Sequence, residues 1–540
     1  MIRIRKLSVP LEYDEGFLRD LVAVRLTAPI QCVESVVIRS REPDTSDLEH
    51  VCFRMTLDVV LNGREEEYVW GRGDRDLSLV IHDEPYHVPD APADILRPIV
   101  VGFGPAGLFA GLLLARAGAR PIILERGKDI EARDRDVKRF FQTGILDSQS
   151  NIAFGAGGAG TYSDGKLKTG QLDPEKKYIL EAFISAGAPD DIRYDKLPHI
   201  GTDVLREVVK NLITEIENFG GSILYQTQLL KICQSGGRVT GVRCQAFSGE
   251  LEISAQQVIL AIGHSARDTV ESLFHDGICM EQKLFGVGVR IEHPQSLIDK
   301  LRYGSSAGDP RLGAASYRMV VKRPDGRGIY TFCMCPGGLV VPASSEAGCV
   351  VTNGMSLRAR SGPNANAALL VTVLPEDIKS THPLAGILYQ RSIEQAAFAA
   401  GGGGFAAPVQ RLEDFLNDTR TTTDSNIKPS YRPGTRSAEL KEYLPEPIVE
   451  ALRAALVEMG DWMPGYLYPD AILTGAETRS TSPVRMLRTE SMEACGVEGL
   501  YPCGEGAGYS GGIISAAVEG LRAGRRVLDK LIVHESERHL

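Results

Sequence analysis

The sequence predicts an α/β protein: a Rossmann-type nucleotide-binding domain, an inserted α+β domain, and a small α/β domain in front. Three observations predict it. A strand–glycine turn–helix–strand stretch occupies residues 97–127, RPIVVGFGPAGLFAGLLLARAGARPIILERG. A second hydrophobic strand runs into glycine at Val258–Gly263, and residues 499–530 return to strand, glycine turn and helix.

The first stretch carries the chemistry. Ile99-Val100-Val101 suits a buried parallel strand. Gly102 permits a tight turn, Gly104 lets backbone approach a pyrophosphate, and Gly107 lets helix and strand pack closely. Pro105 and Ala106 open the helix, whose unpaired N–H groups suit a phosphate. Seventeen residues separate Gly107 from Glu125, enough for the helix and a return strand. Glu125 then stands where a carboxylate accepts hydrogen bonds from an adenosine ribose. Strand, helix, spacing and acid agree, so the stretch reads as a dinucleotide site. Arg116, Gly118, Arg120 and Pro121 argue against a membrane span.

Composition bounds the rest. The chain has 540 residues, 43% hydrophobic and 24% charged, as in ordinary globular proteins of several domains. A net charge of −10 and a pI near 5.6 offer no global field for nucleic acid or an anionic membrane. Ten scattered cysteines and an N-terminus without an apolar core point to reduced thiols and a cytoplasmic location. Glycines cluster at 102–107, 155–170, 401–404 and 504–512, as they do where backbone approaches a ligand.

Along the chain, residues 1–95 read as the small α/β domain, with strands near 2–7, 33–40 and 53–61 and a helix at 14–26. A proline- and aspartate-rich linker, 83–98, follows. Residues 96–275 form the first part of the nucleotide-binding domain. It holds a charged, solvated helix at 129–142, a glycine loop at 154–170, and a helix at 202–219 capped by Thr202 or Asp203. Residues 276–470 mix strands (285–291, 316–321, 329–332, 350–352) with helices (388–400, 436–458) and read as a substrate or cap domain. Residues 471–540 complete the nucleotide-binding domain.

With these motifs in place, the chain resembles the FAD-dependent oxidoreductase superfamily of the glutathione-reductase type. GFGPAG with Glu125-Arg126 is similar to its FAD signature. VILAIGHSA, 258–266, is similar to its second motif, with Ile262 in place of threonine and Gly263 retained. LYPCGEGAG, 500–508, is similar to its ribityl-binding motif, with Gly504 kept and Glu505 where aspartate is usual. FGAGGAGTYSDGKL, YTFCMCPGG, AETRSTSPVR and PCGEGAGYSGGI extend the resemblance to a group of bacterial FAD-dependent dehydrogenases. The resemblance implies an FAD-binding domain, a flavin cofactor and no particular substrate.

Within that frame, Gly511, Gly512 and Ile513 open a helix whose N-terminus suits negative charge on a reduced flavin. Gly157, Gly158 and Gly160 suit a backbone wrap around cofactor phosphate, with Lys166 and Lys168 as added charge, against a surface turn with solvated lysines. His264 is the candidate acid/base residue, against a structural hydrogen-bonding role. Arg479 and Arg485 are candidates for an anionic substrate, against ion pairing with the chain's own carboxylates. Cys333 and Cys335 form a C-x-C in which a disulfide would be strained; for these and Cys503 a buried thiol is the plain alternative. No Cys/His spacing suggests a metal. No second strand–GxGxxG–helix follows residue 130, which argues against a dedicated NAD(P)H domain and leaves NAD(P)H as a transient donor. The expected protein is an FAD-dependent oxidoreductase, a dehydrogenase or reductase of a small molecule. An NAD(P)H-using flavin reductase or monooxygenase, and a non-catalytic FAD-binding sensor, stay open beside it. Oligomeric state is not legible.

Overall fold

A computed structural model describes residues 1–70, 73–81, 85–167, 173–421 and 425–538. The molecule is mixed α/β, with parallel and antiparallel sheets built on separate cores. At the N-terminus, Ile2–Val9, Val33–Asp44, Cys52–Leu61 and Leu77–Leu79 form a four-stranded sheet in which Ile2–Val9 pairs antiparallel with its neighbours on both sides. Ile2, Ile4 and Val9 point inward with Met55, Leu57 and Val59 against the Glu15–Leu26 helix, while the intervening Arg3 and Ser8 face out. That helix starts where the Asp14 carboxylate accepts from Phe17 N at 2.7 Å.

The five-stranded sheet that positions the site is wholly parallel. Its order is Leu500–Pro502, Val258–Leu260, Ile99–Val101, Ile122–Leu124, Ser222–Leu224. Strands from three distant parts of the sequence thus lie side by side, with Val258 opposite both Ile99 and Leu500. The Pro105–Arg116 helix and the C-terminal Ile513–Arg538 helix pack together; a Cβ on Gly520 would lie 1.9 Å from Ala106 O, so only glycine allows the approach. Gln228–Ser235, Arg238–Ala246 and Gly249–Ser254 make a three-stranded antiparallel sheet, the first of which lacks a clean apolar alternation and escapes sequence reading.

A seven-stranded sheet holds the second large core. Its order is Val320–Lys322, Gly328–Cys335, Asn364–Val373, Phe285–Pro294, Ile472–Glu477, Ala407–Arg411, Thr435–Ser437. The boundary expected at 470 therefore needs correction: Ile472–Glu477 hydrogen-bonds between Phe285–Pro294 and Ala407–Arg411, inside this sheet. Residues 436–458 are also not one helix. Thr435–Ser437 is an edge strand and the helix runs Glu446–Trp462, because Pro445 and Pro447 set its start. The 202–219 helix is capped by Gly201 rather than by Thr202 or Asp203. Among the described residues, no helix is long and apolar enough to cross a membrane.

Candidate functional site

One cavity of about 300 Å³ lies where the C-terminal ends of the parallel strands meet the seven-stranded sheet. Gly102–Ala106 line it after one strand, Ala261–Ala266 after the next, and Cys503–Glu505 after the third. The turns interlock: a Cβ on Gly102 would strike Ala261 O at 2.3 Å, and one on Gly506 would strike the Gly263 carbonyl carbon at 2.6 Å.

Two kinds of glycine are present. Gly107 is demanded by packing, since a Cβ there would sit 1.9 Å from Gly102 O, and Gly107 itself does not line the cavity. Gly157 likewise lies off the wall, where a Cβ would meet Thr161 Oγ1 at 2.1 Å. Gly104 and Gly511 differ. Both line the cavity at ordinary φ, and a Cβ would find its nearest neighbour only at 3.7 and 3.8 Å. The protein's own packing does not require their bareness. A ligand pressed against the backbone would account for it. Gly104 also caps the Pro105–Arg116 helix without any side-chain hydrogen bond, leaving its first-turn N–H groups open to an anion.

The glycine loop crosses this helix end. Gly158 has φ +62° and its Cα faces Gly104, while Gly160 lies against Pro105 and Ile513. What holds the loop is Arg133, a residue that sequence reading placed on a solvated helix. Its guanidinium is fully buried and donates to Asn151 O, Ile152 O, Ala156 O and Gly158 O at 2.7–2.9 Å. The charge pattern of the Ile130–Thr143 helix masks this role, because one inward arginine among many charged residues has no sequence signature. Lys168 lies outside the described residues.

Glu125 is buried at the wall, but its carboxylate also ties the chain together. It accepts from Phe103 N at 3.0 Å, Gly127 N at 2.7 Å and Gly155 N at 2.9 Å. Arg126 lines the same end, paired bidentately with Asp268 at 2.9 Å and stacked over Phe154. His264 and Glu505 meet across the middle, Nδ1 to Oε1 at 3.5 Å. At the far end stand Asp164, Lys166, Cys333, Glu477, Arg479 and the Gly511–Ala516 segment that opens the last helix.

The anion pocket expected from Arg479 and Arg485 is not assembled. Arg479 reaches the wall, yet its guanidinium is held by Glu394 at 2.8 Å, Ser345 at 2.6 Å and Glu346 at 3.3 Å. Arg485 is absent from the lining; it lies over Tyr509 and 3.4 Å from Glu281 on the two-stranded edge it forms with Met280–Gln282. Both guanidiniums have carboxylate partners within the chain. Lys166 is similarly paired with Asp164 at 2.8 Å.

Comparison with known proteins gives this cavity its context. Residues 284–480 match the model of the family described as FAD-dependent protein, C-terminal domain-like. A protein of Clostridium beijerinckii, described only as uncharacterized, is 42% identical over 532 residues, which is 98% of this chain and 99% of that one. The chain belongs to this family of FAD-dependent proteins. Solved structures give weaker likenesses. A flavoprotein/dehydrogenase from Cytophaga hutchinsonii is 11% identical, with 81% of this chain and 79% of that one covered at a TM-score of 0.36. A geranylgeranyl bacteriochlorophyll reductase-like protein from Thermoplasma acidophilum is 13% identical, with 82% and 84% covered, also at 0.36. Likeness at that level carries no argument about architecture or reaction. The lining has features that fit FAD: a helix end with no side-chain cap, bare backbone beside it, and the Glu125 and Glu505 carboxylates after two of the parallel strands.

Proposed function

We propose that the chain is a flavin-dependent oxidoreductase of the glutathione-reductase type, holding FAD along this cavity and transferring electrons to or from a small molecule. Glu125 and Arg126 mark the adenosine end, Gly104–Ala106 with Gly158 and Gly160 the pyrophosphate, Gly263, Gly504 and Glu505 the ribityl chain, and Lys166, Gly511, Gly512 and Ile513 the flavin end. FAD supplies, when bound, the two-electron chemistry. The chain supplies the rest: N–H groups for phosphate, the Ile513–Arg538 helix end for negative charge, and His264 beside Glu505 as a proton carrier. We also propose the division into a small N-terminal domain (1–95), an FAD-binding domain (96–275 with the C-terminal segment) and a cap domain that extends past 470 to take in Ile472–Glu477. All ten cysteines are free thiols, which supports a cytoplasmic location.

One observation carries the reading: Gly104 and Gly511 are bare without any packing reason, at two helix starts that face one cavity. Substituting Gly104→Val tests it. Visible flavin absorbance retained by wild-type protein through gel filtration should be lost from the variant, with secondary structure unchanged. Equal flavin retention would sink the assignment. An anaerobic mixture with NAD(P)H separates the neighbouring readings: fast bleaching marks a reductase or monooxygenase, and flavin that no donor reduces marks a sensor.

A further inference from the structure

The C-x-C segment is the one reactive cluster on the cavity wall that the proposed cofactor contacts leave unused. Pairing of Gly328–Cys335 with Asn364–Val373 slips between Phe332 and Cys335. A slip of this kind re-aims side chains. Cys333 sits at a left-handed φ of 44°, which a non-glycine residue adopts at a cost and keeps where its surroundings enforce it. The surroundings do enforce it. Arg290 Nη1 donates to Cys333 O at 3.0 Å, the Cys335 thiol donates to the same oxygen at 3.1 Å, and the Lys166 ammonium donates to Met334 O. Cys333 thereby lines the cavity, with Cys335 fully buried behind it.

The charged groups around it answer one another. Lys166 pairs with Asp164, Arg290 with Glu477 at 3.0 Å, and Arg479 with Glu394. The Cys333 thiol is the nucleophilic group left facing the space. Its hydrogen bond with Cys335, together with the nearby Lys166 and Arg290 charges, holds it well below the usual thiol range in spite of burial. Burial instead pushes the Cys503 thiol up to about 12, so that cysteine stays a protonated packing residue. Thiolate is the form that attacks and is oxidised.

We propose that Cys333 and Cys335 form a dithiol–disulfide couple that exchanges electrons with the flavin bound in this cavity. The proposal rests on the FAD reading above. In the oxidative direction a bond forms between Cys333 Sγ and Cys335 Sγ. The two thiols release two electrons and two protons, and FAD takes up both in becoming FADH2. A disulfide across a single intervening residue is strained and therefore easily reduced, which suits a catalytic rather than a structural bond.

The test is an anaerobic reductive titration of diamide-oxidised, desalted holoprotein. Flavin absorbance is followed, and thiols in the Cys333–Cys335 peptide are counted by alkylation and mass spectrometry. Wild type should consume two two-electron equivalents per FAD and expose two new thiols in that peptide. Cys333→Ser and Cys335→Ser should each consume one, with bound flavin showing that they fold. Cys333→Ser replaces a cavity-wall side chain, so it serves if the buried Cys335→Ser does not fold. A single equivalent in wild type, with both thiols alkylatable throughout, overturns the proposal. If no flavin absorbance stays with the protein before the titration begins, the FAD reading falls, and this proposal with it.

Discussion

Arg133 and Glu125 show how much of the site is second-hand: both shape the backbone that would meet a ligand. Arg133 satisfies four carbonyls of the glycine loop. Arg133→Met takes this donor from all four; Gly158 O keeps Thr161 N at 3.3 Å and Ala156 O keeps Thr161 Oγ1 at 3.5 Å, and each group left unsatisfied costs about 1–3 kcal/mol. The expected outcome is a loss of several kcal/mol in denaturant unfolding and at least a tenfold weaker FAD affinity by titration. Gly158→Ala should also weaken binding, because its Cβ would meet Gly104 Cα at 2.6 Å at φ +62° and force the loop off the helix start. A tenfold or larger rise in the FAD dissociation constant is expected. At this scale the glycines are legible from spacing alone, since their motif is local. Arg133 and the pairing of Arg479 are not, because their partners lie 18–25 and 85 residues away and nothing in a single sequence links them.

Elements are joined by buried charge. Arg267, at the start of Arg267–His275, and Arg479, just past Ile472–Glu477, both grip Glu394 on the Ala385–Ala400 helix, at 2.8 Å each. This clamp ties the parallel-sheet region to the seven-stranded sheet. Removing one member of a buried pair strands the others, so Glu394→Gln should cost about 3–5 kcal/mol near neutral pH. Burial alone would raise the Glu394 carboxyl, but Arg479 and Arg267 hold it down at about 2 against an ordinary 4.5. Its stabilisation is therefore complete above the unfolded value and lost as pH falls through the folded one. The difference in melting temperature between wild type and Glu394→Gln should stay constant above pH 4.5 and shrink between 4.5 and 2. Helix packing gives a second test. Gly520→Ala drives a methyl into Ala106 O and should cost about 1–3 kcal/mol, read by thermal unfolding. Apolar period and glycine turns placed the three βαβ strands and the helices near 14–26, 129–142, 202–219 and 388–400, but passed over Pro174–Ser185, Arg267–His275 and Gln295–Tyr303. They missed Gln228–Ser235 and joined 436–458, where exposed edges and prolines interrupt the pattern.

For the whole molecule, the order of motifs along the chain was more telling than any one of them. Strands near residues 100, 259 and 501 are adjacent in one parallel sheet, so three glycine turns face one cavity. The membership of Ile472–Glu477 was illegible because both of its sheet partners, Phe285–Pro294 and Ala407–Arg411, lie well before it in sequence, and nothing local to residues 472–477 links it to them. A cavity shared by two sheets also makes a global prediction. FAD that binds only the folded state should stabilise the protein by about 2.7 kcal/mol at one hundred times its dissociation constant. The melting temperature should rise with FAD concentration, and ADP should reproduce only part of the rise.

The most direct test is equilibrium binding of FAD to flavin-stripped protein, followed by flavin absorbance and fluorescence with stoichiometry from the break point. One FAD per chain, lost together in Gly104→Val and Gly158→Ala, is the expected result. Saturating FAD that leaves spectrum and melting temperature unchanged would contradict the assignment of this cavity to the cofactor.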